Sequence, residues 1–399
     1  MPDDSRPPAD PRFDAAPDRR GTHCAKWDMM ERAYGVSPEG GIAMWVADME
    51  FRPPECVRGA VRDMADHGVF GYFGDDAAYT RAIRWWMAER HGWDVAPEAI
   101  QTTHGLVNGT AMCVDAYTAP GDAVVLMTPV YHAFARVIRA SGREVRELPL
   151  ATRGGRYVMD WESWAPLMRG NERMLILCSP HNPGGRVWTR EELEAVAGFA
   201  RRHDLILVSD EIHHDLTMPG QRHMPMALTD GVTDRLVMMT SATKTFNIAG
   251  AHVGQVIVPD AALRAPFERR MAAMGMSPNS FGMHMVTAAY SPEGAEWVDA
   301  LSAYIDANRR LFDAAVARIP GLASMSLEAT YLAWVDFAGT GMEPAEFTAR
   351  VERDACIAAN HGRTFGLGGE SFLRFNLGAP RAMVEEACER LARAFGDLQ

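Results

Sequence analysis

Only two of the 40 basic residues in this 399-residue chain are lysines, Lys26 and Lys244, and the other 38 are arginines. A guanidinium stays protonated, whereas an amine can lose its proton and attack a carbonyl carbon. Lys244 comes shortly after an apolar segment that is typical of a buried strand, and Lys26 follows no such segment. Chance retention in an arginine-rich composition is the simpler explanation for either lysine. The position of Lys244 nevertheless predicts a nucleophilic amine that holds a carbonyl compound.

Four other kinds of chemical group follow predicted strands or open predicted helices. Asn182 follows one apolar segment, Asp210 follows another, and Tyr131 comes shortly after a third. A helix is predicted to start near Val107, directly after a glycine. In open α/β sheets, ligands bind beyond the carboxyl ends of the strands. We therefore expect an amide, a carboxylate, an aromatic ring and a helix N-terminus to meet the Lys244 amine at one edge of a sheet.

This set of groups matches the requirements of pyridoxal 5'-phosphate (PLP). An amine forms an imine with the cofactor, and a carboxylate keeps the pyridine nitrogen protonated, so that the ring accepts the electrons of a Cα carbanion. An aromatic ring can stack on the pyridine, and an amide can donate to the ring oxygen O3'. The first N–H groups of a helix can bind the phosphate.

The elements that position these groups are short apolar segments separated by helical ones. Continuous apolar strands alternating with helices are typical of a parallel sheet that is covered on both faces. The predicted fold class is therefore α/β with a mostly parallel central sheet. The strand-like segments are residues 123–127, 174–178, 205–209, 236–240 and 253–258, and helical segments include residues 131–141 and 190–203.

The last third of the chain has a different pattern, which predicts a smaller α+β domain. We assign residues 19–51 and 291–399 to this small domain and residues 52–290 to a large cofactor-binding domain. Residues 1–18 are rich in Pro and Asp and are predicted to be a disordered leader. In the last third, residues 293–319, 344–358 and 383–395 are helical in pattern, and residues 330–337 and 372–377 are strand-like.

Composition excludes several classes of partner. A formal net charge of -12 argues against nucleic acid, which needs a basic face. No segment approaches the roughly 20 continuous apolar residues that cross a membrane. The six cysteines are scattered without a Cys-x-x-Cys pair, which indicates reduced thiols and a cytoplasmic location. No histidine spacing matches a standard metal site, so we expect no metal.

Several motifs together resemble the fold-type-I PLP enzymes of the class I/II aminotransferase superfamily. The resemblance is more specific to the cystathionine β-lyase-like C–S lyases, the MalY/PatB group, and it runs from about residue 19 to the end. The motifs are Gly21-Thr22, Lys26-Trp27-Asp28, Met44-Trp45-Val46-Ala47-Asp48-Met49, Gly71-Tyr72, Pro129-Val130-Tyr131, Pro180-His181-Asn182-Pro183, Ser209-Asp210-Glu211-Ile212-His213, Lys244-Thr245-Phe246-Asn247-Ile248-Ala249-Gly250 and Arg374-Phe375-Asn376.

The resemblance implies a role at the cofactor ring for five residues. Lys244 is the Schiff-base lysine and the acid/base at Cα, and Asp210 pairs with the pyridinium. Asn182 donates to O3', and Tyr131 stacks on the ring. His213 stands three residues after Asp210, where aminotransferases of this superfamily usually have Tyr, and this exchange is the C–S lyase pattern.

The resemblance also implies how the phosphate and the substrate are held. The N–H groups around Leu106 and Val107 and the hydroxyl of Ser241 bind the phosphate. Tyr72 reaches the phosphate of a neighbouring subunit, so the active unit is expected to be a homodimer. The substrate α-carboxylate is bound by Arg374, with Asn182 beside it. His252 stands eight residues after Lys244, where aminotransferases usually have a phosphate-binding arginine.

The first functional hypothesis is a C–S β-lyase. Such an enzyme cleaves cystathionine or another cysteine S-conjugate, giving a thiol and aminoacrylate, which hydrolyses to pyruvate and ammonia. An aminotransferase shares the Cα carbanion and is the main alternative, and decarboxylative oxidative deamination of an S-conjugate is another. A binding or regulatory module without turnover is a third class, although the retained Lys, Asp, Asn and Arg argue against it. The sequence leaves the group on the substrate sulfur open.

Overall fold

A computed structural model of the chain describes residues 10–398, and its helices and strands lie within this range. The strands are β1 Ile42–Ala43, β2 Ile100–Thr103, β3 Ala123–Thr128, β4 Glu144–Pro149, β5 Ala151–Arg153, β6 Arg156–Val158, β7 Glu172–Cys178, β8 Ile206–Asp210, β9 Leu236–Thr240, β10 Gly254–Ile257, β11 Ala323–Ser324, β12 Leu332–Asp336, β13 Ile357–Ala358, β14 Asn360–His361 and β15 Phe372–Asn376. The α-helices are α1 Pro11–Asp14, α2 Ala25–Asp28, α3 Met30–Tyr34, α4 Glu55–His67, α5 Ala77–His91, α6 Leu106–Tyr117, α7 His132–Ala140, α8 Trp161–Trp164, α9 Arg190–Arg202, α10 Ala242–Thr245, α11 Ala261–Ala273, α12 Ser280–Ala289, α13 Pro292–Val316, α14 Pro344–Ala349 and α15 Arg381–Ala394.

Seven strands form the central sheet in the order β2-β10-β9-β8-β7-β3-β4. Strands β4, β3, β7, β8 and β9 pair in parallel, and β10 is antiparallel to both β9 and β2. The predicted α/β class with a mostly parallel sheet is therefore confirmed. The segment expected at residues 253–258 does form a strand, but it runs against its neighbours.

Helices cover both faces of this sheet, which explains why its inner strands are mostly apolar and are buried at nearly every position. Val124 and Leu126 of β3 lie in one apolar cluster with residues of α6, α7 and α11. Val125 and Met127 of the same strand lie in another cluster with residues of α9. Side chains alternate between the two faces of a strand, so both sets must be apolar when both faces are buried.

A second sheet of four strands, in the order β11-β12-β15-β14, lies in the last third of the chain. Strand β1 pairs in parallel with β13, with Ile42 opposite Ile357, so the N-terminal segment joins this region. The helix predicted over residues 344–358 is α-helical to Ala349, continues as a π-helical turn over Arg350–Asp354 and ends there, because residues 357 and 358 pair with β1 instead. The division into residues 19–51 plus 291–399 and residues 52–290 stays a prediction.

The predicted disordered leader needs a correction. Residues 1–9 lie outside the described residues, but α1 begins at Pro11 and its Phe13 side chain is fully buried. Phe13 packs against the rings of Phe51, Trp297 and Tyr304. The prediction of disorder was wrong for this part because burial of one aromatic ring stabilises an otherwise polar segment. Among residues 10–398, no helix combines the length and hydropathy needed to cross a membrane.

Candidate active site

The carboxyl ends of the central strands meet at a cavity of about 360 Å³. Asp210 is the last residue of β8, Cys178 is the last residue of β7, and α6 and α10 begin at the same edge. Seven of the ten predicted site residues line this cavity, and Arg374, Ser241 and Tyr72 do not. The seven are Leu106, Val107, Tyr131, Asn182, Asp210, His213 and Lys244.

Lys244 lies in the one-turn helix α10, which the Ser241 side chain caps by accepting a hydrogen bond from the Thr243 N–H. The Lys244 Nζ donates to the carbonyl oxygen of Ala47 at 2.5 Å. Burial lowers the pKa of Lys244 from 10.5 to about 8, although Asp48 and Asp210 oppose the shift. A larger fraction of the amine is therefore neutral near pH 7 than in an ordinary lysine, as a nucleophile and a proton acceptor require.

Asp210 is a buried carboxylate that accepts a hydrogen bond from the Ile212 N–H, at 3.1 Å. It forms no ion pair within residues 10–398. Burial raises the pKa of Asp210 from 3.8 to about 7, and the nearby Glu211 adds to the shift while Lys244 opposes it. A cation placed against this carboxylate would reverse the shift, so Asp210 is suited to pair with a pyridinium nitrogen.

The raised pKa of Asp210 predicts a pH-dependent stability for the protein stripped of cofactor. The folded state favours the protonated carboxyl, so this contribution to stability is fully present below pH 3.8 and is lost as the pH rises through about 7. The Asp210→Asn variant cannot ionise at this position. Its urea midpoint should exceed that of the unmodified chain, by a margin that widens between about pH 4 and about pH 7. A margin that stays constant with pH would contradict the assignment.

Arg374 is buried, with 2% of its surface exposed, and has no acidic partner among the described residues. Its Nη1 donates to the Asn182 Oδ1 at 2.9 Å, and its Nη2 donates to the Trp45 carbonyl oxygen at 2.9 Å. Its Nε has no partner in the described structure, and burial lowers the pKa of Arg374 to about 10. A buried guanidinium without an anion is costly, so this site is suited to a carboxylate ligand. The Asn182 Nδ2 remains available as a donor.

The first turn of α6, which the sequence predicts to bind the cofactor phosphate, lies at this cavity. Gly105 precedes this helix with a φ of 80°, a left-handed conformation that favours glycine, and Leu106 and Val107 line the cavity. The first N–H groups of a helix have no partner within the helix, so they can bind an anion.

Ser241 does not line the cavity, and its predicted role at the phosphate stays a prediction. Its Oγ donates to the Val253 carbonyl oxygen at 2.7 Å and contacts the Thr243 Oγ1 at 2.8 Å, and it is Thr243 that lines the cavity. The serine hydroxyl thus links α10 to Val253, the residue that directly precedes β10. A serine and a threonine two residues apart give no sequence signal for which hydroxyl faces a ligand.

The remaining predicted residues are placed in different ways. The Tyr131 side chain lines the cavity, and burial raises its pKa. His213 is buried, and its Nδ1 has no partner within the described structure. Tyr72 lies outside the cavity with 99% of its surface exposed, next to exposed Val69 and Phe70. This chain alone therefore does not bring Tyr72 to the site.

The segment of residues 45–50 forms a strap over the site, and sequence reasoning did not assign it a role. The Trp45 carbonyl oxygen accepts from Arg374, and the Ala47 carbonyl oxygen accepts from both Lys244 and the Tyr331 hydroxyl. The Asn376 side chain donates to two further carbonyl oxygens of the strap. The Met44–Met49 motif was a usable signal, but carbonyl contacts cannot be read from side-chain types.

Lys26 anchors this strap through contacts with two of its residues, Asp48 and Glu50. Its Nζ lies 2.6 Å from the Glu50 Oε1, and both side chains are buried. The same nitrogen donates to the Asp48 carbonyl oxygen at 2.9 Å. The second lysine of the chain therefore has a structural environment, which agrees with its position away from the sheet.

Replacement of Lys26 by methionine should destabilise the protein. Arg19 stays 3.3 Å from Glu50, so we expect the lower end of the cost of breaking a buried pair, about 3 kcal/mol in the free energy of unfolding. Urea unfolding measures the change. Arg20→Met is a matched control that removes an exposed pair with Asp18 and should leave the midpoint unchanged. Equal midpoints for the Lys26 variant and the unmodified chain would contradict this role.

A buried cluster next to the site was also missed. Asp215 lies 2.8 Å from the His91 Nε2 and 3.2 Å from the His214 Nε2, and it accepts from the Trp86 and Thr245 side chains. Potential ligand atoms of His91, His214 and Asp215 lie within 4.8 Å of one another. Both carboxylate oxygens are already hydrogen-bonded, so the cluster anchors the segment that follows Asp210. His91 is 124 positions away in sequence from Asp215, so no local motif shows the contact.

The donor set fits PLP as a whole. One cavity is lined by the Lys244 amine with its lowered pKa, the buried Asp210 carboxylate without an ion-pair partner among the described residues, and the Asn182 amide. The first N–H groups of α6 lie at the same cavity, and the buried Arg374, which has no acidic partner among the described residues, borders it. Each group lacks a partner that a different part of the same cofactor or of an amino-acid substrate would supply. Lys244, Asp210, Asn182 and the first turn of α6 would therefore hold PLP in this cavity.

Comparison with known proteins agrees with this geometry. The family described as aminotransferase class I and II matches residues 42–391. Cystathionine beta-lyase PatB of Bacillus subtilis is 38% identical, over 96% of this chain and 99% of that relative. The solved structure of cystalysin from Treponema denticola, which contains PLP, is 33% identical with a TM-score of 0.92, over 97% of this chain and 99% of that one. A PLP-bound C–S lyase from Staphylococcus hominis is 26% identical with a TM-score of 0.87, over 97% and 98% of the two chains.

Proposed function

This chain belongs to the class I and II aminotransferase family, and from that premise we propose that it is a PLP-dependent carbon–sulfur β-lyase. Its substrates are cysteine S-conjugates such as cystathionine, and its products are a thiol, pyruvate and ammonia. The observation that carries the proposal is the near-full-length similarity to a cystathionine β-lyase, combined with a cavity that holds Lys244, Asp210 and Asn182 together.

PLP, when bound, supplies a carbonyl for covalent attachment and an electron sink for the Cα carbanion. Lys244 is the residue that holds the cofactor and then moves the proton at Cα. Its pKa of about 8 lets the amine accept that proton near neutral pH. Asp210 would keep the pyridine nitrogen of the bound cofactor protonated, and Tyr131 would stack on its ring.

Arg374 and Asn182 orient the substrate. The guanidinium binds the α-carboxylate, and its position is fixed by hydrogen bonds to Asn182 and to the Trp45 carbonyl oxygen. This contact aligns the Cα–H bond with the Lys244 amine, and burial excludes water from the carboxylate contact. Once the proton has left Cα, the electron pair expels sulfur from Cβ as a thiolate.

We extend the proposal to a homodimer that completes the site. Tyr72 is almost fully exposed in a segment that also exposes Val69 and Phe70, which is unusual for such large apolar side chains. A second copy covering this segment would bury it and bring Tyr72 to the phosphate of the neighbouring subunit.

Product analysis with L-cystathionine tests the lyase activity. The purified enzyme with PLP should release free thiol and pyruvate in equal amounts. A control reaction adds a 2-oxo acid acceptor, which should change neither product. If thiol release is undetectable with cystathionine and with simpler S-alkyl cysteines, while a 2-oxo acid is aminated, the chain is an aminotransferase instead.

A further inference from the structure

We propose that Arg136 forms a subsite for an anionic group on the sulfur substituent of the substrate. This inference rests on the proposed lyase function and concerns which S-conjugates the enzyme prefers. Arg136 lies on α7, five residues after Tyr131, and its side chain is exposed where it lines the same cavity as Lys244 and Asn182.

The charge around the cavity favours anions. Asp210 is the one acidic residue of its described lining, and its proposed partner is the pyridine nitrogen of the cofactor. The basic lining residues are Arg136 and Lys244, with three histidines beside them. The chain as a whole has a formal net charge of -12, so this local excess of basic groups is not a general property of its surface.

Other groups serve the two anions already assigned to the site. The first turn of α6, at Leu106 and Val107, is placed for the cofactor phosphate, and Arg374 is placed for the α-carboxylate. Arg136 forms no ion pair or hydrogen bond within residues 10–398, so its charge is free for a third anion. The part of the substrate that remains is the group beyond Cβ.

The position of Arg136 places this third anion on the substrate side of the ring. Arg136 and Arg374 both act on His132, although burial is the first cause of its lowered pKa of about 4. His132 is the neighbour of Tyr131, and its Nδ1 has no partner in the described structure. Arg136 follows His132 by one turn of α7, the His132 ring contacts the Phe365 ring, and the Arg374 guanidinium lies over that same Phe365 ring. The two arginines therefore approach the Tyr131 side of the cavity together.

Two substrates that differ only in charge test the proposal. S-(2-carboxyethyl)-L-cysteine carries a carboxylate beyond sulfur, and S-(2-carbamoylethyl)-L-cysteine carries a neutral amide of the same size. The unmodified enzyme should show a kcat/KM about tenfold higher for the acid, a typical value for one charged hydrogen bond. In Arg136→Gln this ratio should fall to about one, through a higher KM for the acid at unchanged kcat.

Arg139→Gln is the matched control, because Arg139 is exposed one turn further along α7 and does not line this cavity. It should keep the preference for the acid. An unchanged ratio in Arg136→Gln would overturn the proposal, and so would weaker PLP binding with an unchanged ratio, since Arg136 would then serve the cofactor. If the unmodified enzyme releases thiol from L-cystathionine but from neither conjugate, the Arg136 inference fails and the lyase function stands. If it releases thiol from none of the three substrates, the lyase function fails, and the inference that depends on it fails too.

Discussion

The Lys244→Ala variant should lose at least about 10³-fold in kcat for thiol release, since it lacks both the covalent attachment point and the base at Cα. No other described amine lies in the cavity, and Lys26 is buried and pairs with Glu50 of the strap. The variant should also lose the visible absorbance of the attached cofactor. Absorption spectra and thiol release measured on the same sample check both expectations.

Lys26→Arg is the control for this experiment, because it changes the other lysine and keeps the charge that pairs with Glu50. It should retain the cofactor absorbance and most of the activity. If Lys244→Ala keeps more than a tenth of the original kcat, Lys244 takes no part in the chemistry, and this conclusion holds whether or not the fold has changed.

Arg374→Gln should lower kcat/KM for cystathionine by about 10²-fold, because a charged hydrogen-bonding contact of about 3 kcal/mol is lost. Arg374→Lys should not restore activity, since an ammonium cannot present two parallel donors to a carboxylate. Steady-state kinetics with cystathionine measure both effects. Because Arg374 binds the substrate α-carboxylate, most of the loss should appear as a higher KM for cystathionine.

Unfolding would not explain this loss. Arg374 is buried without an acidic partner among the described residues, so its replacement removes a desolvation cost. The urea midpoint of Arg374→Gln should therefore equal or exceed that of the unmodified chain. Arg353→Gln, at an exposed position, serves as the control with unchanged kinetics. Equal kcat/KM for Arg374→Gln and the unmodified chain would show that the α-carboxylate binds elsewhere.

The parts of the site that follow sheet strands could be predicted from the sequence. Asp210, Asn182 and Lys244 come directly or shortly after apolar segments, and the rule that ligands bind beyond the carboxyl ends of strands brings them together. The structure places all three at one cavity. The direction of a strand has no such signal, because an apolar segment reads the same in either direction. The antiparallel pairing of β10 was therefore not predictable.

Contacts made by the backbone or across long sequence separations were also beyond prediction. The strap of residues 45–50 acts through carbonyl groups, which every residue has. Phe13 is a single aromatic residue in a polar segment, and its burial depends on rings up to 291 positions away. Arg136 resembles any exposed arginine of an amphipathic helix, and only the shape of the cavity distinguishes it from Arg139.

The covalent position of the cofactor tests the proposed role of Lys244 most directly. The holoenzyme is reduced with borohydride, which makes the linkage to the cofactor permanent, and is then digested and mapped by mass spectrometry. The chain has only two lysines, so the outcome is unambiguous. We predict that the pyridoxyl group is found on Lys244. A pyridoxyl group on Lys26, or an unlabelled Lys244 in fully reduced holoenzyme, would contradict that role.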